Sequence, residues 1–137
     1  MTVRVPVCHE SDVFIAAERA REIGRLEGLS EPAAAALATA VTEIARNIVV
    51  YARCGEVLIQ RAEGWGRRGV VVVARDEGPG IADPGAALQD HVSTNGTLGL
   101  GLPSARRLVD ELELASAPGQ GTTVTLKKWV PEPERDR

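Results

Sequence analysis

The sequence predicts an α+β or mixed α/β sandwich in which helices cover one face of a sheet. Two observations carry that prediction. Helix-period apolar patterns fill much of the chain before Gly55, and five short β-rich runs, from "VRVPV" to "GTTVTLKKWV", are spread along its length. A third observation, two glycine clusters at strand and helix ends, says where the sheet would carry its chemistry.

The run Val3 to Val7 alternates around Pro6 and reads as an edge strand, where a missing N–H is tolerated. Ser11 or Asp12 is the expected cap of a helix reaching about Leu26 and stopped by Gly28. Ser30 caps a second helix with Pro32 in its first turn. That helix continues through "AAAALATAVTEIARNIVVYA" and ends near Gly55. Glu56 to Gly64 and Gly69 to Gly78 are two strands joined by "GWGRRG" as a hairpin-like pair, whose Trp65 is either a docking aromatic or, the simpler expectation, tucked partly under its own loop. From Pro79 to about Leu98 no period is evident, and a long loop is expected. A third helix runs from about Leu102 to Leu112, and "LELASA" and "GTTVTLKKWV" close the fold through a turn at "PGQG". The polar tail "PEPERDR", residues 131–137, is expected to be mobile, leaving a single domain over 1–130.

Composition narrows the partners. Lys and Arg number 16 against 19 Asp and Glu, a net charge of −3, and aromatics are only 3%. Neither a basic stripe nor a base-stacking platform is available, so nucleic acid is not an expected partner. No unbroken run of about 18 apolar residues occurs and the N-terminus lacks an apolar leader, so a cytoplasmic protein without membrane contact is expected. Cys8 and Cys54 have no metal-ligand spacing, and free thiols are the expectation.

On the second helix, Leu37, Val41, Ile44, Ile48 and Tyr51 are spaced 4, 3, 4 and 3 and form one apolar face. Glu43 and Asn47, four apart, stack at the margin of that face. A carboxylate there could accept a proton from a nucleophile and an amide oxygen could ligate a hard cation; such a pair could also be plain boundary polar residues. Asp76 ends the run "VVVVA" and emerges at a strand end, with Gly78 and Gly80 beyond it. An acid so placed could read an exocyclic amine, or simply begin a turn. Gly99, Gly101 and Pro103 precede the third helix, whose first N–H groups favour anions; a flexible hinge is the other reading. Neither a P-loop nor a dinucleotide fingerprint is present.

In their order along the chain, "TEIARNIVVYA", "DEGPGI" and "GTLGLGLPSARRLVDE" resemble the N box and the two glycine boxes of the Bergerat (GHKL, histidine-kinase-like) ATP-binding fold. The resemblance spans about Val3 to Trp129 and implies a two-layer sandwich on a mixed, mainly antiparallel sheet. It implies Glu43 as the catalytic acid's counterpart and Asn47 as the Mg²⁺ ligand. It also implies an ATP site from Asn47, Asp76, Gly78, Gly80, Ile81, Gly99, Leu100, Gly101 and Thr122.

The chain is short for a sensor kinase with its own phosphoacceptor helices, and His9 and His91 are its two histidines. His91 falls in the expected lid, Ala82 to Leu98, where a solvated residue is the simplest reading. Among the family's branches, "ARNIVVYA", "DEGPGIAD", "VSTNGTLGLGLPSARRLVDE" and "GTTVTLKKW" most resemble RsbT-type serine/threonine switch kinases of the stressosome pathway. That resemblance implies ATP and Mg²⁺, a STAS-domain antagonist as substrate and a PP2C-type phosphatase as the activated target. With only Lys127 and Lys128 in the chain, any phosphate-binding side-chain cation is expected to be an arginine, Arg46, Arg106 or Arg107 being the candidates, although a solvated helix face is the simpler reading of each. The rival implications are an anti-sigma factor or nucleotide-dependent module acting by docking on a sigma factor or phosphatase, and a sensor-kinase fragment making phosphohistidine.

Overall fold

A computed structural model describes residues 2–88 and 101–131. Five strands lie in the order β1-β2-β3-β5-β4, where β1 is Thr2–Val7, β2 Gly55–Gly64, β3 Arg67–Asp76, β4 Glu111–Ser116 and β5 Thr122–Trp129. The described pairings, β1 with β2, β2 with β3, β3 with β5 and β5 with β4, are all antiparallel. The sheet is therefore antiparallel where a mixed, mainly antiparallel one was expected. Pro6 does sit on the edge strand.

Alternate strand residues turn one face inward. Val57 opposes Ala74, and Val72 opposes Leu126; all four are buried. Helices α1 (Glu10–Glu27) and α2 (Glu31–Asn47) bring Val13, Ala16, Ala20, Leu37, Val41 and Ile44 to that same core. Burying each large aliphatic side chain contributes about 1.5–3 kcal/mol. The many alanines between them let the two helices approach closely, which suits a chain so poor in aromatics.

Ser30 caps α2, its hydroxyl accepting from the Ala33 N–H at 3.2 Å. The first helix differs from expectation at its start. His9 is the cap residue, and Asp12 acts from within the first turn, accepting from the Cys8 and His9 N–H groups at 2.9 and 3.0 Å. Those two bonds, Cys8's first, hold the Asp12 carboxyl below its usual range.

α2 runs on into a π-helical turn, Ile48–Ala52, and Arg53 then leaves with φ of +73°. By length and composition the combined helix Glu31–Ala52 is long and apolar enough to cross a membrane, a property it shares with core helices. Leu37, Val41, Ile44 and Ile48 along it are buried within the domain core.

The β2–β3 turn is tighter than expected. Gly64 pairs with Arg67, so only Trp65 and Gly66 turn the chain, at φ of +56° and +73°. Positive φ at both central residues matches the twist of a two-residue hairpin. There is no loop for Trp65 to tuck under, and it stands 99% exposed. The indole that is held is Trp129, which donates to Glu111 at 2.8 Å and lies 5.5 Å from the Arg67 guanidinium.

A short helix α3, Pro84–Ala87, lies within the expected loop. The next helix, α4, is Leu102–Leu108 and ends four residues earlier than expected. Val109 is already extended, and the Asp110 N–H donates to the Lys127 carbonyl at 2.9 Å, drawing the chain into β4. The tail beyond residue 131 lies outside the described residues.

Cys8 and Cys54 correct the free-thiol expectation: they form a disulfide. Val7 opposes Gly55 at the last β1–β2 pair, so the cysteines just beyond that pair are brought to a Cα separation of 4.2 Å. The sequence separation of 46 gave no hint of this meeting.

Candidate active site

A cleft of 410 Å³ opens between α2 and the ends of β3 and β5. Ligand sites are commonly clefts of about 300–1,000 Å³ with apolar walls and a few convergent polar groups. Its apolar wall comes from Ile44, Ile48 and Tyr51 on the helix and from Ala74, Val124 and Leu102 opposite. Its polar groups include Asn47, Asp76 and Thr122.

Each polar group is placed by its element. Asp76 ends β3, in line with the inward-facing Val72 and Ala74, and opposes Thr122, the first residue of β5. The Asp76 Oδ1 accepts the Gly78 N–H at 2.9 Å, which fixes the carboxylate as the chain turns away. Asn47 closes α2 and lines the cleft one turn beyond Glu43.

Glu43 does not line the cleft itself; it meets Gly101, the cap residue of α4, and a Cβ on Gly101 would overlap the Glu43 carboxylate. Gly101 also has φ of +69°, which strains any side chain there, and a Cβ would in addition make the Glu43 carboxylate shift. Gly80 and Ile81 line the cleft, but the reason for glycine differs from the one read from the sequence. A Cβ on Gly78 would strike Ala52, and one on Gly80 the Ala117 carbonyl. Both glycines permit packing of the loop onto its own protein.

Gly99, Leu100, His91 and the lid beyond residue 88 lie outside the described residues. Arg46 points elsewhere: its Nε donates to Glu10 at 3.1 Å on the far side of α2. Arg107 reaches Ser104 at 3.4 Å, and neither it nor Arg106 lines the cleft.

Four contributors escaped the sequence reading. Tyr51 was visible as the last member of the apolar helix face, and strand alternation back from Asp76 and forward from Thr122 would have found Ala74 and Val124. Ser116 had no such signal. It sits at the end of β4, accepting the Ile81 N–H at 2.7 Å and donating to the Gly121 carbonyl at 2.9 Å.

The donor set suits a hard cation held mainly by a ligand. Among the described residues no cluster of three or more His, Cys, Asp or Glu could cage a metal. Asn47 offers an amide to the cleft, and Mg²⁺ typically takes one or two protein ligands with phosphate oxygens and water completing its shell.

Residues 10–128 match the family model of the histidine kinase-like ATPase domain. The serine/threonine-protein kinase RsbT of Bacillus subtilis (strain 168) is 37% identical over 126 residues, covering 92% of this chain and 95% of that one. Anti-sigma F factors of Thermoanaerobacter sp. (strain X514) and Caldanaerobacter subterraneus subsp. tengcongensis are 31% and 32% identical over 98 residues, each covering 67% of both chains.

Proposed function

Because this chain belongs to the histidine kinase-like ATPase domain family, we propose that its cleft binds ATP and that it works as a partner switch. It is a serine/threonine protein kinase of the RsbT type, as the 37% identity over nearly the whole chain supports. Its substrate is a STAS-domain antagonist, and its target after release is a PP2C-type phosphatase.

The observation that carries the reading is the cross-strand pair Asp76 and Thr122 at the edge of an apolar cleft of 410 Å³. A flat, apolar base fills such a slot, and the Asp76 carboxylate accepts its exocyclic amine. Ile48, Tyr51 and Ala74 exclude water from the ring. Asn47 gives its amide oxygen to Mg²⁺, which when bound supplies charge neutralisation across the phosphates. Glu43 takes the proton of the substrate hydroxyl, and its contact with Gly101 holds it where α4 begins.

The test uses the protein with Mg²⁺, γ-labelled ATP and a STAS-domain protein encoded beside it, with Glu43→Ala as control. Acid-stable label on the partner, lost in the variant, is the expected result. The matches to anti-sigma F factors favour a second reading, docking on a sigma factor. Nucleotide binding without label transfer, together with capture of a sigma factor, would select it.

A further inference from the structure

Asp76 on β3, Thr122 on β5 and Ser116 on β4 stand in one row across three strands. Asp76 opposes Thr122, and Thr122 opposes Ser116. Residues directly opposite in an antiparallel sheet share a face, here the face that floors the cleft.

The Ser116 hydroxyl has three polar neighbours: the Ile81 nitrogen at 2.7 Å, the Gly121 carbonyl oxygen at 2.9 Å and the Thr122 Oγ1 at 3.0 Å. A serine hydroxyl has one proton and two lone pairs. The Gly121 carbonyl can only accept, so it takes the proton. The Ile81 N–H can only donate, so it fills one lone pair. The second lone pair is left for Thr122, whose hydroxyl must donate to Ser116.

That assignment has a consequence in the cleft. With its proton committed to Ser116, Thr122 shows lone pairs alone to a ligand. Asp76, whose carboxylate oxygen takes the Gly78 N–H, is likewise an acceptor. We infer that Ser116 is a positioning residue that fixes Thr122 as an acceptor, so that the site selects a 6-amino purine nucleotide over a 6-oxo one. The inference rests on the reading of the cleft as a purine nucleotide site. An exocyclic amine has two protons to give, whereas a 6-carbonyl would set its lone pairs against those of Thr122 and Asp76. Removing the Ser116 hydroxyl frees the Thr122 hydroxyl to turn and donate to such a carbonyl.

The test is calorimetric titration of ATP and ITP with Mg²⁺ into wild type, Ser116→Ala, Thr122→Val and the double variant. Ser116→Ala is expected to lower the ATP-to-ITP affinity ratio about three- to tenfold, the worth of one ordinary hydrogen bond. In the Thr122→Val background the same change is expected to leave the ratio unmoved. Equal weakening of both nucleotides by Ser116→Ala would mean a structural role only and overturn the inference. A ratio that still shifts without the Thr122 hydroxyl would overturn it too. If Ser116→Ala does not fold, Ser116→Cys keeps the volume with a weak donor and acceptor, and the same pair of outcomes decides. A wild type that binds neither nucleotide overturns the nucleotide reading and this inference together. One that binds both with unaltered preference in the variant overturns this inference alone.

Discussion

Glu43 on α2 and Gly101 at the start of α4 are in direct contact, so close that a Cβ at Gly101 would displace the Glu43 carboxylate. The contact ties the expected proton acceptor to the glycine segment that leads into α4.

Gly101→Ala should therefore do two kinds of damage. A left-handed φ of +69° disfavours alanine by about 1–2 kcal/mol, and the new methyl group would push the Glu43 carboxylate aside. Thermal unfolding should show the first effect. Phosphotransfer at saturating ATP should show the second, as a fall of about tenfold or more, the size of one misplaced general base. Wild-type transfer by a destabilised variant would sink the idea that this contact positions Glu43.

Asp76→Asn should weaken nucleotide binding while leaving the fold intact. The amide can still accept the Gly78 N–H, but it replaces a charged acceptor facing the base with a neutral one. Hydrogen bonds to charged groups are worth about 1.5–3 kcal/mol, which corresponds to an affinity loss of roughly ten- to a hundredfold. Titration with ATP and with ADP should give similar losses, since the contact concerns the base. An unchanged dissociation constant would remove Asp76 from the site.

Much of this was legible in the sequence because it rested on period and punctuation. The apolar spacing from Leu37 to Tyr51 gave α2 and the margin on which Asn47 sits, and the end of "VVVVA" gave Asp76 its place at a strand tip. Features that depend on register were not legible. The opposition of Val7 and Gly55 brings Cys8 to Cys54, and the opposition of Ser116 and Thr122 makes their hydroxyls neighbours. Neither follows from local pattern, since register is settled only when the strands pair. The end of α4 was misread for a related reason: Leu112 suits a helix by spacing, but the sheet edge offered by β5 captures the chain at Asp110 first.

The Cys8–Cys54 bond predicts a redox-dependent stability. Closing a loop across a separation of 46 residues restricts the unfolded chain, and chain-entropy reasoning puts the effect at about 4 kcal/mol. Cys54→Ser should unfold at lower denaturant than the oxidised wild type. In excess thiol reductant the two should converge, because the difference lies in the covalent link. Equal midpoints under oxidising conditions would show that the bond does not form in solution.

Acid should loosen the outer face of the sheet through Glu56. Its carboxylate takes the Arg4 Nε at 2.5 Å and the Arg75 guanidinium at 2.5 and 3.1 Å. The Arg4 bond first, and then the Arg75 bond, hold the group below its ordinary value of 4.5. The unfolded chain, which lacks these partners, therefore takes up the proton at higher pH than the folded one. Stability from the triad is complete above the unfolded value and is lost as pH falls through the lower folded value. Glu56→Gln should thus be less stable than wild type at pH 7, with the gap narrowing as pH drops below about 4.5, where the wild-type carboxylate in the unfolded state begins to protonate. Because the arginines are largely exposed, salt should shrink the gap at pH 7 as well. Denaturant unfolding of both proteins from pH 7 to about pH 3, at low and high salt, checks the slope and its sign together. A gap that stayed constant across that range would mean that Glu56 contributes through packing and not through its charge.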